Sequence, residues 1–261
     1  MELRFADMGS RWRQIRVPIM SWKVQQIQLV WFSGASMSLD LEGLFSSFAG
    51  GEPDQIRTLK APNQPNNRIA SGSVDGRQFN IQMQAGRLEI GVSTAVLPLD
   101  ESEFPGLDID DDIIDSLPER AEIVHGKLSE INRMALVFNL IRPSDDLLSA
   151  NKYIIDSIGP SIESEGALDV SFTVNRRFHV GEFPINRVLA LSVNALQSVV
   201  IDPAGTAPRV EEAFGVAFRI DLNNVPTTRP FDVSEMNTIL LALMGEWRRI
   251  MSLKRPLGLE A

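Results

Sequence analysis

Alternating apolar and polar residues predict most of the strands in this chain. The segment 24–32, VQQIQLVWF, is typical of a strand with one buried side formed by Val24, Ile27, Leu29 and Trp31. Further along, VDGRQFNIQMQAGRLEIGVS contains two turn sequences, Asp75-Gly76 and Ala85-Gly86, each followed by alternating apolar residues. This second pattern predicts an antiparallel meander with a buried side and a side rich in Gln, Asn and Arg that faces water.

Apolar residues at helical spacing predict four helices. They cover 41–48, which stops at Gly50-Gly51; 117–132, behind a capping box of Ser116 and Glu119; 147–158, capped by Ser144; and 233–252, behind a second capping box of Asp232 and Glu235. The last helix carries the broadest apolar stripe and is the strongest prediction of the four.

The second half of the chain predicts four further strands, at 131–141, 167–180, 185–201 and 210–222. The segment 52–67 contains three prolines and three asparagines, which favours a loop. Strands followed by a long helix occur in both halves. We therefore predict an α+β fold of two antiparallel sheet-plus-long-helix halves packed together, divided into 1–142 and 143–261.

Composition restricts the classes of function. The formal net charge is −9 and the sequence pI is near 4.9, which disfavours direct nucleic-acid binding because phosphate recognition needs a basic face. The chain has no cysteine, so it forms no disulfide and offers no thiolate, as fits a reducing cytoplasm. No apolar run approaches the roughly 20 residues that a membrane helix needs. We expect a cytoplasmic protein without membrane association.

An acidic cluster precedes the second predicted helix. Asp108, Asp110 and Asp112 match the first ligand positions of a calcium loop, but Ile113 stands where that loop requires glycine. Acids before a helix N-terminus interact favourably with the helix dipole. We interpret the cluster, which includes Asp111, as a solvated loop leading into the helix, with a cation site as the alternative. His125 is expected at the surface or boundary of that helix.

Sequence motifs for catalysis are missing. There is no G-x-S-x-G elbow, phosphate-binding loop or G-x-G-x-x-G segment, and the two histidines lie 54 residues apart. We therefore assign no catalytic residue, no metal ligand and no cofactor. A metal-dependent hydrolase that uses Asp108, Asp110 and Asp112 stays open as an alternative.

Two segments resemble a sporadically distributed, largely uncharacterised bacterial protein family. INRMALVFNLI (131–141) is similar to that family's strand motif, and FRIDLNN followed by FDVSEMNTILLALMGEWRRIMS looks like its ending. The resemblance implies a β-rich body, a C-terminal amphipathic helix and recurrent residues at Arg133, Asn139 and Asp221. It also implies an association with mobile or antiviral defence gene clusters.

The N-terminal segment RWRQIRVPIMSWK is the predicted partner-binding site. Trp and Arg are the residues that most often anchor protein interfaces, and this segment contains Arg11, Trp12, Arg13, Arg16 and Trp22. We expect a non-catalytic, protein-binding subunit or accessory factor of a bacterial multi-gene system, in a hetero-complex or homo-oligomer. The alternative is a small-ligand or peptide binder that uses a cavity between sheet and helix.

Overall fold

A computed structural model describes residues 22–60, 67–95, 104–159, 166–200 and 209–253 of the 261-residue chain. Within these ranges the chain forms ten strands and four helices, which confirms the α+β class. The strands are β1 Lys23–Ser33, β2 Gln55–Leu59, β3 Asn67–Val74, β4 Arg77–Gln84, β5 Arg87–Thr94, β6 Leu107–Asp108, β7 Ile131–Ser144, β8 Ser171–Val180, β9 Phe183–Val200 and β10 Arg209–Asn224. The helices are α1 Leu41–Ala49, α2 Asp112–His125, α3 Leu147–Ile158 and α4 Val233–Ser252.

All ten strands belong to one antiparallel sheet. Its order is β2-β3-β4-β5-β1-β7-β10-β9-β8, with the short β6 pairing to the start of β1. The centre of the sheet is the β1–β7 pair, in which Ile27 lies opposite Phe138 and Leu29 opposite Leu136. Strands from the first part of the chain extend the sheet on one side of this pair, and strands from the second part extend it on the other.

The four helices share one core with a single face of the sheet. Side chains of alternate residues in β1, β5, β7 and β10 point into this core, together with the apolar stripes of the helices. The ring of Trp247 in α4 stacks on Phe138 in β7 with centroids 3.7 Å apart. An ion pair also joins the layers here, because Arg187 of β9 contacts Glu246 of α4 at 2.5 Å. Large aromatic surfaces and one shielded charge pair therefore fix α4 across the centre of the sheet.

Several sequence predictions are confirmed. The predicted buried set of the first strand, Val24, Ile27, Leu29 and Trp31, is at most 2% exposed. The capping box of Asp232 and Glu235 is present at the start of α4. At the end of α1, Gly50 adopts the left-handed conformation (φ 84°) that ends a helix and that glycine tolerates best.

Three local predictions are wrong. Residues 55–59 form the edge strand β2 within the segment predicted as a loop; every residue of β2 is exposed, so no alternation of burial marks it in the sequence. Helix α2 begins at Asp112, capped by Asp111, while the hydroxyl of Ser116 donates to the carbonyl of Ile113 inside the helix. Helix α3 is capped by Asp146 in place of Ser144. In both helices the aspartate directly before the first helical residue is the N-cap, and its side chain accepts a hydrogen bond from a free backbone N–H of the first turn.

No helix in the described ranges is long and apolar enough to cross a membrane.

The stack of Trp247 on Phe138 predicts a large cost of truncation. Trp247→Ala should lower the free energy of unfolding by about 3–5 kcal/mol, because it leaves a cavity between α4 and the sheet. Leu241→Ala on the same helix is the matched control, since Leu241 is 58% exposed, and its effect should stay within about 0.5 kcal/mol. Urea unfolding, followed by the circular dichroism of the backbone so that the signal does not rely on the removed tryptophan, measures the stability of both variants. Equal effects of the two variants would show that α4 does not pack as described.

Candidate functional site: the polar face of the sheet

The sheet face opposite the helices, here called the polar face, carries mostly polar side chains, and at its centre Val30, Ala135, Val137 and Asn223 are buried. Cross-strand pairing places one row of side chains across nine strands, in the order Arg57, Ile69, Gln82, Glu89, Val30, Ala135, Asn223, Asn186 and Arg177. The adjacent row includes Asn80, Gln28, Val137, Asp221 and Asn175. Amides and arginines thus dominate the surface, around a narrow apolar strip at the central strands.

A hydrogen-bond network crosses the polar face between β7, β10, β9 and β8. The amide oxygen of Asn223 accepts from Arg133 Nη2 at 3.2 Å and from Asn186 Nδ2 at 3.1 Å. The amide nitrogen of Asn223 donates to Asp221 Oδ1 at 2.8 Å. At the edge, Arg177 Nε donates to Asn186 Oδ1 at 3.0 Å. Since each amide both donates and accepts, Asn223 and Asn186 tie two arginines into one rigid arrangement.

Phe32 lies between two arginines at one end of this face. The guanidinium carbon of Arg133 is 4.8 Å from the ring centroid, and that of Arg87 is 5.7 Å away. Arg87 also contacts Glu89. No carboxylate of the described residues forms an ion pair with Arg133, and the Phe32 ring and the Asn223 amide that contact its guanidinium are both uncharged.

The polar face is basic although the protein is acidic. Among the described side chains of its paired strands, five arginines (Arg57, Arg87, Arg133, Arg177 and Arg219) stand against two acids, Glu89 and Asp221. Lys23 and Asp108 neutralise each other at its rim, at 2.5 Å. The whole chain carries a net charge of −9. The described side chains of this face therefore carry more positive than negative charge.

Residues implied by the family resemblance lie together on the polar face. Asp221 stands opposite Val137 in the β10–β7 ladder, and Asn139 stands opposite Arg219 two residue pairs along, on the same face. Arg133 shares the Asn223 amide with Asp221. The sequence pattern did not single out Asn223 or Asn186, although amides at alternate positions of a strand are a signal that could have found them.

The predicted N-terminal interface is only partly visible. Arg11, Trp12, Arg13 and Arg16 lie outside the described residues. Trp22 is half-buried on the helix side, with its ring 5.5 Å from Phe218 and 6.1 Å from Tyr153. Trp22 therefore contributes to packing at the edge of the core, whatever the segment before it binds.

The acidic cluster stabilises the start of α2. Asp111 accepts from the backbone N–H of Ile113 and pairs with Arg77 at 2.7 Å, and Asp112 contacts the same arginine. Asp108 pairs with Lys23. Among the residues that the structure describes, no group of three or more His, Asp or Glu side chains is arranged to hold a metal ion. These carboxylates serve as a helix cap and as ion-pair partners.

His125 is buried, contrary to the expectation of a surface or boundary position. It is 0% exposed, its Nδ1 lies 2.6 Å from Asn237 Oδ1, and its ring makes an edge contact with Trp31. Because an amide oxygen only accepts, Nδ1 carries the proton and donates it. Burial lowers the pKa of His125 and outweighs the opposing influences of the Asn237 hydrogen bond and Glu122. The imidazole is thus a neutral link between α2 and α4.

The clefts lined by described residues lie at the margins of the sheet. One cleft of about 360 Å³ is bounded by Glu182, Phe183, Thr227, Thr228 and Arg229. Arg229 is already paired with Glu235 and Glu182, and its hydrogen bond lowers the pKa of Glu235 to about 2. Another cleft of about 170 Å³ lies beside Arg142 and Tyr153. Neither lies between the centre of the sheet and α4.

Buried neutral His125 predicts a pH-dependent stability. Burial lowers the pKa of His125 in the folded state below the usual 6.5. As the pH falls below about 6.5, His125 is therefore protonated in the unfolded chain before it is protonated in the folded chain. The free energy of unfolding should therefore decrease there. His125→Gln should remove that part of the slope, and His179→Gln at the exposed second histidine should keep it. Urea titrations from pH 7.5 to 5 give the slopes; identical slopes for all three proteins would contradict a buried neutral imidazole.

Comparison with known proteins adds no argument about function. No family model and no curated protein matches the chain. The crystal structure of the di-domain ARO/CYC StfQ from the steffimycin biosynthetic pathway aligns with 87% of this chain and 93% of that chain, at 12% identity and a TM-score of 0.19. A TM-score of 0.19 does not indicate a shared fold.

Proposed function

We propose that this protein is a non-catalytic binding subunit whose polar face docks on an acidic surface of another protein. The observation that carries the proposal is the excess of five arginines over two acids on one sheet face of a protein with a net charge of −9. Arginine is enriched at protein interfaces and pairs with carboxylates through two parallel hydrogen bonds.

The arginines of the polar face are arranged for an external partner. Arg133 and Arg177 are held by amide oxygens, which fix their positions without neutralising their charges. Arg219 is 55% exposed and contacts Asp221 at 3.4 Å, at the limit of a hydrogen bond. Side chains that are already ordered lose less conformational entropy on binding. An incoming carboxylate would therefore gain charge pairing at a low entropic cost.

A protein partner fits the composition of this face better than a nucleic acid does. Gln and Asn side chains outnumber arginines on the central strands, and the half-buried ring of Phe32 is already in contact with Arg133 and Arg87. Nucleic-acid surfaces usually combine many phosphate-binding bases with free rings for stacking. Mixed amides and arginines match the acids, amides and backbone groups of a protein surface.

We further propose that the chain consists of two related α+β halves, 1–142 and 143–261 in the sequence prediction, with the boundary moved to the start of β7 at Ile131. The order β1-α1-β2-β3-β4-β5-β6-α2 is followed by the partly similar order β7-α3-β8-β9-β10-α4, and β1 pairs with β7 in antiparallel orientation. The helices α2 and α4 also run antiparallel, since His125 meets Asn237 at one end and Asp115 meets Arg248 at the other. These contacts support an approximate two-fold relation between the halves.

The biological setting follows from the family resemblance and the composition. We propose that the subunit belongs to a bacterial multi-gene system, with antiviral defence as the candidate process. We also propose a cytoplasmic location, because a chain without cysteine forms no disulfide and so does not depend on an oxidising compartment. Binding of a small ligand between sheet and helices finds less support, because Phe138 and Trp247 fill that space.

Neutralising two arginines on the central strands of the polar face, β7 and β10, tests the proposal. Arg133→Gln with Arg219→Gln should weaken binding of the co-purifying partner by about tenfold or more. Arg248→Gln with Arg249→Gln makes the same charge change on the helix side and should leave binding unchanged. The tagged proteins are purified from the organism that encodes them and compared by native mass spectrometry, with thermal melting as the check on folding.

Three outcomes would contradict this proposal. Equal loss of the companion in both double variants would mean that partner binding depends on the net charge of the protein and not on the polar face. A companion that disappears after nuclease treatment would identify a nucleic-acid partner. Full retention of the companion by the Arg133 and Arg219 variant would exclude the polar face as the interface.

Truncation of the N-terminus separates the two candidate interfaces. Removing 1–21 should preserve stability and partner binding if the polar face is the interface, whereas loss of the companion would assign binding to Arg11, Trp12, Arg13 and Arg16. Removing 1–22 deletes one more residue, Trp22, and should lower the free energy of unfolding by about 1–3 kcal/mol through lost packing on Phe218 and Tyr153. Urea unfolding of this matched pair isolates the contribution of Trp22; identical stabilities would remove Trp22 from the core.

A further inference from the structure

The strand β8 forms one edge of the sheet and is unusually long for an unprotected edge. It has ten residues, pairs with β9 alone among the described strands, and has Ser171, Thr173, Asn175, Arg177 and His179 exposed on the polar face. The opposite edge, β2, has five residues. Long edge strands present unpaired backbone donors and acceptors, which proteins normally shorten or cover.

The apolar side of β8 is incompletely covered. Phe172, Val174, Phe178 and Val180 point towards the helix layer but are only half-buried, and they pack at the margin of the core. At the equivalent depth on the other side of the sheet, β3 has β2 beside it and Ala70 is fully buried. One more strand beyond β8 would extend the apolar row and cover these four side chains.

Strand numbers on the two sides of the centre differ by one. Beyond β1 the sheet continues through β5, β4, β3 and β2, whereas beyond β7 the described strands are β10, β9 and β8. The position next to β8 corresponds to that of β2. In the described part of the connection between α3 and β8, residues 166–170 form no strand.

We infer that β8 accepts an extended acidic segment of another protein as an additional antiparallel strand. Main-chain hydrogen bonds would supply affinity, and alternate side chains would supply specificity, as in other cases of strand addition. This interface shares Arg177 with the polar face but does not involve Arg133 or Arg219, so the Arg133 and Arg219 variant tests the proposed function separately from this inference.

The two arginines at the middle of β8 favour an acidic incoming strand. Arg176 and Arg177 are both exposed, on opposite faces of the strand, and neither forms an ion pair with a described carboxylate. In an antiparallel pair of two β8 strands from two copies, these arginines would meet near the centre, and like charges facing each other are destabilising. A second copy is therefore disfavoured, and a strand with two central acids is favoured.

The register of β8 specifies the sequence of the incoming strand. Residues opposite Phe172, Val174, Phe178 and Val180 should be apolar, and those opposite Arg176 and Arg177 should be acidic. Because successive side chains alternate between faces, the pattern is apolar-x-apolar-acid-acid-x-apolar-x-apolar. The peptide VTVDETVTV satisfies this pattern, and VTVKKTVTV differs only in the charges of its centre.

Charge exchange between peptide and protein tests the inference. Fluorescence anisotropy with labelled peptides should show that the wild-type protein binds VTVDETVTV at least about tenfold more tightly than VTVKKTVTV. Arg176→Glu with Arg177→Glu should reverse that preference, while Lys152→Glu at an exposed position of α3 should not change it. Hydrogen exchange should slow in the β8 amides on binding of VTVDETVTV and stay unchanged in β2.

Equal affinity of the wild-type protein for both peptides would overturn the inference, as would protection of β2 in place of β8. Dimers that form as the protein concentration rises, with protected β8 amides, would show that β8 pairs with a second copy of the chain and not with an acidic segment. Amides of β8 that are fully protected before any peptide is added would show that the chain covers its own edge. If the glutamate variant fails to fold, the two peptides on the wild-type protein and the exchange pattern still decide the matter.

Discussion

The antiparallel pairing of β1 with β7 is the constraint on which the rest of the structure depends. It joins strands from the two parts of the chain over most of their length, with Ile27 opposite Phe138 and Trp31 opposite Met134. Side-chain alternation in this pair sends large apolar residues to one face and Gln28, Val30 and Ala135 to the other. A slip of one residue would exchange the two faces, burying glutamine under α4 and exposing phenylalanine. The core and the polar face are thus two consequences of one register.

Elements with a buried side were predictable from the sequence, and elements without one were not. Apolar spacing identifies β1, β4, β5 and α4 because each packs one side on the core. The edge strand β2 has no buried residue, so its five residues, flanked by proline-containing segments, look like a loop. Helix starts were misjudged for a related reason: Ser116 and Asp111 are both good caps in sequence, and Asp111, which caps α2, is also held by Arg77 from a distant strand.

The polar face could be predicted only in part because its residues are brought together by strand pairing. Arg133, Asn139 and Asp221 were implied by resemblance, and the structure places them on neighbouring strands. The link between them, Asn223, is 90 positions from Arg133 in the chain, and no local pattern reports such a contact. His125 was misjudged for the same physical reason, since Asn237 and Trp31, which bury it, come from distant parts of the sequence.

Charge is separated between the two layers of the molecule, and this separation bears on how a partner would approach. The exposed side of α2 carries Asp112, Asp115, Glu119 and Glu122, whereas arginines prevail on the sheet face opposite the helices. An acidic partner would be repelled by the helix layer and attracted by the sheet, which orients it before contact. Orientation of this kind weakens with salt, because the Debye length falls to about 8 Å at physiological ionic strength. The amide-held arginines act at shorter range, so they would govern dissociation, while the overall charge separation would govern the rate of encounter.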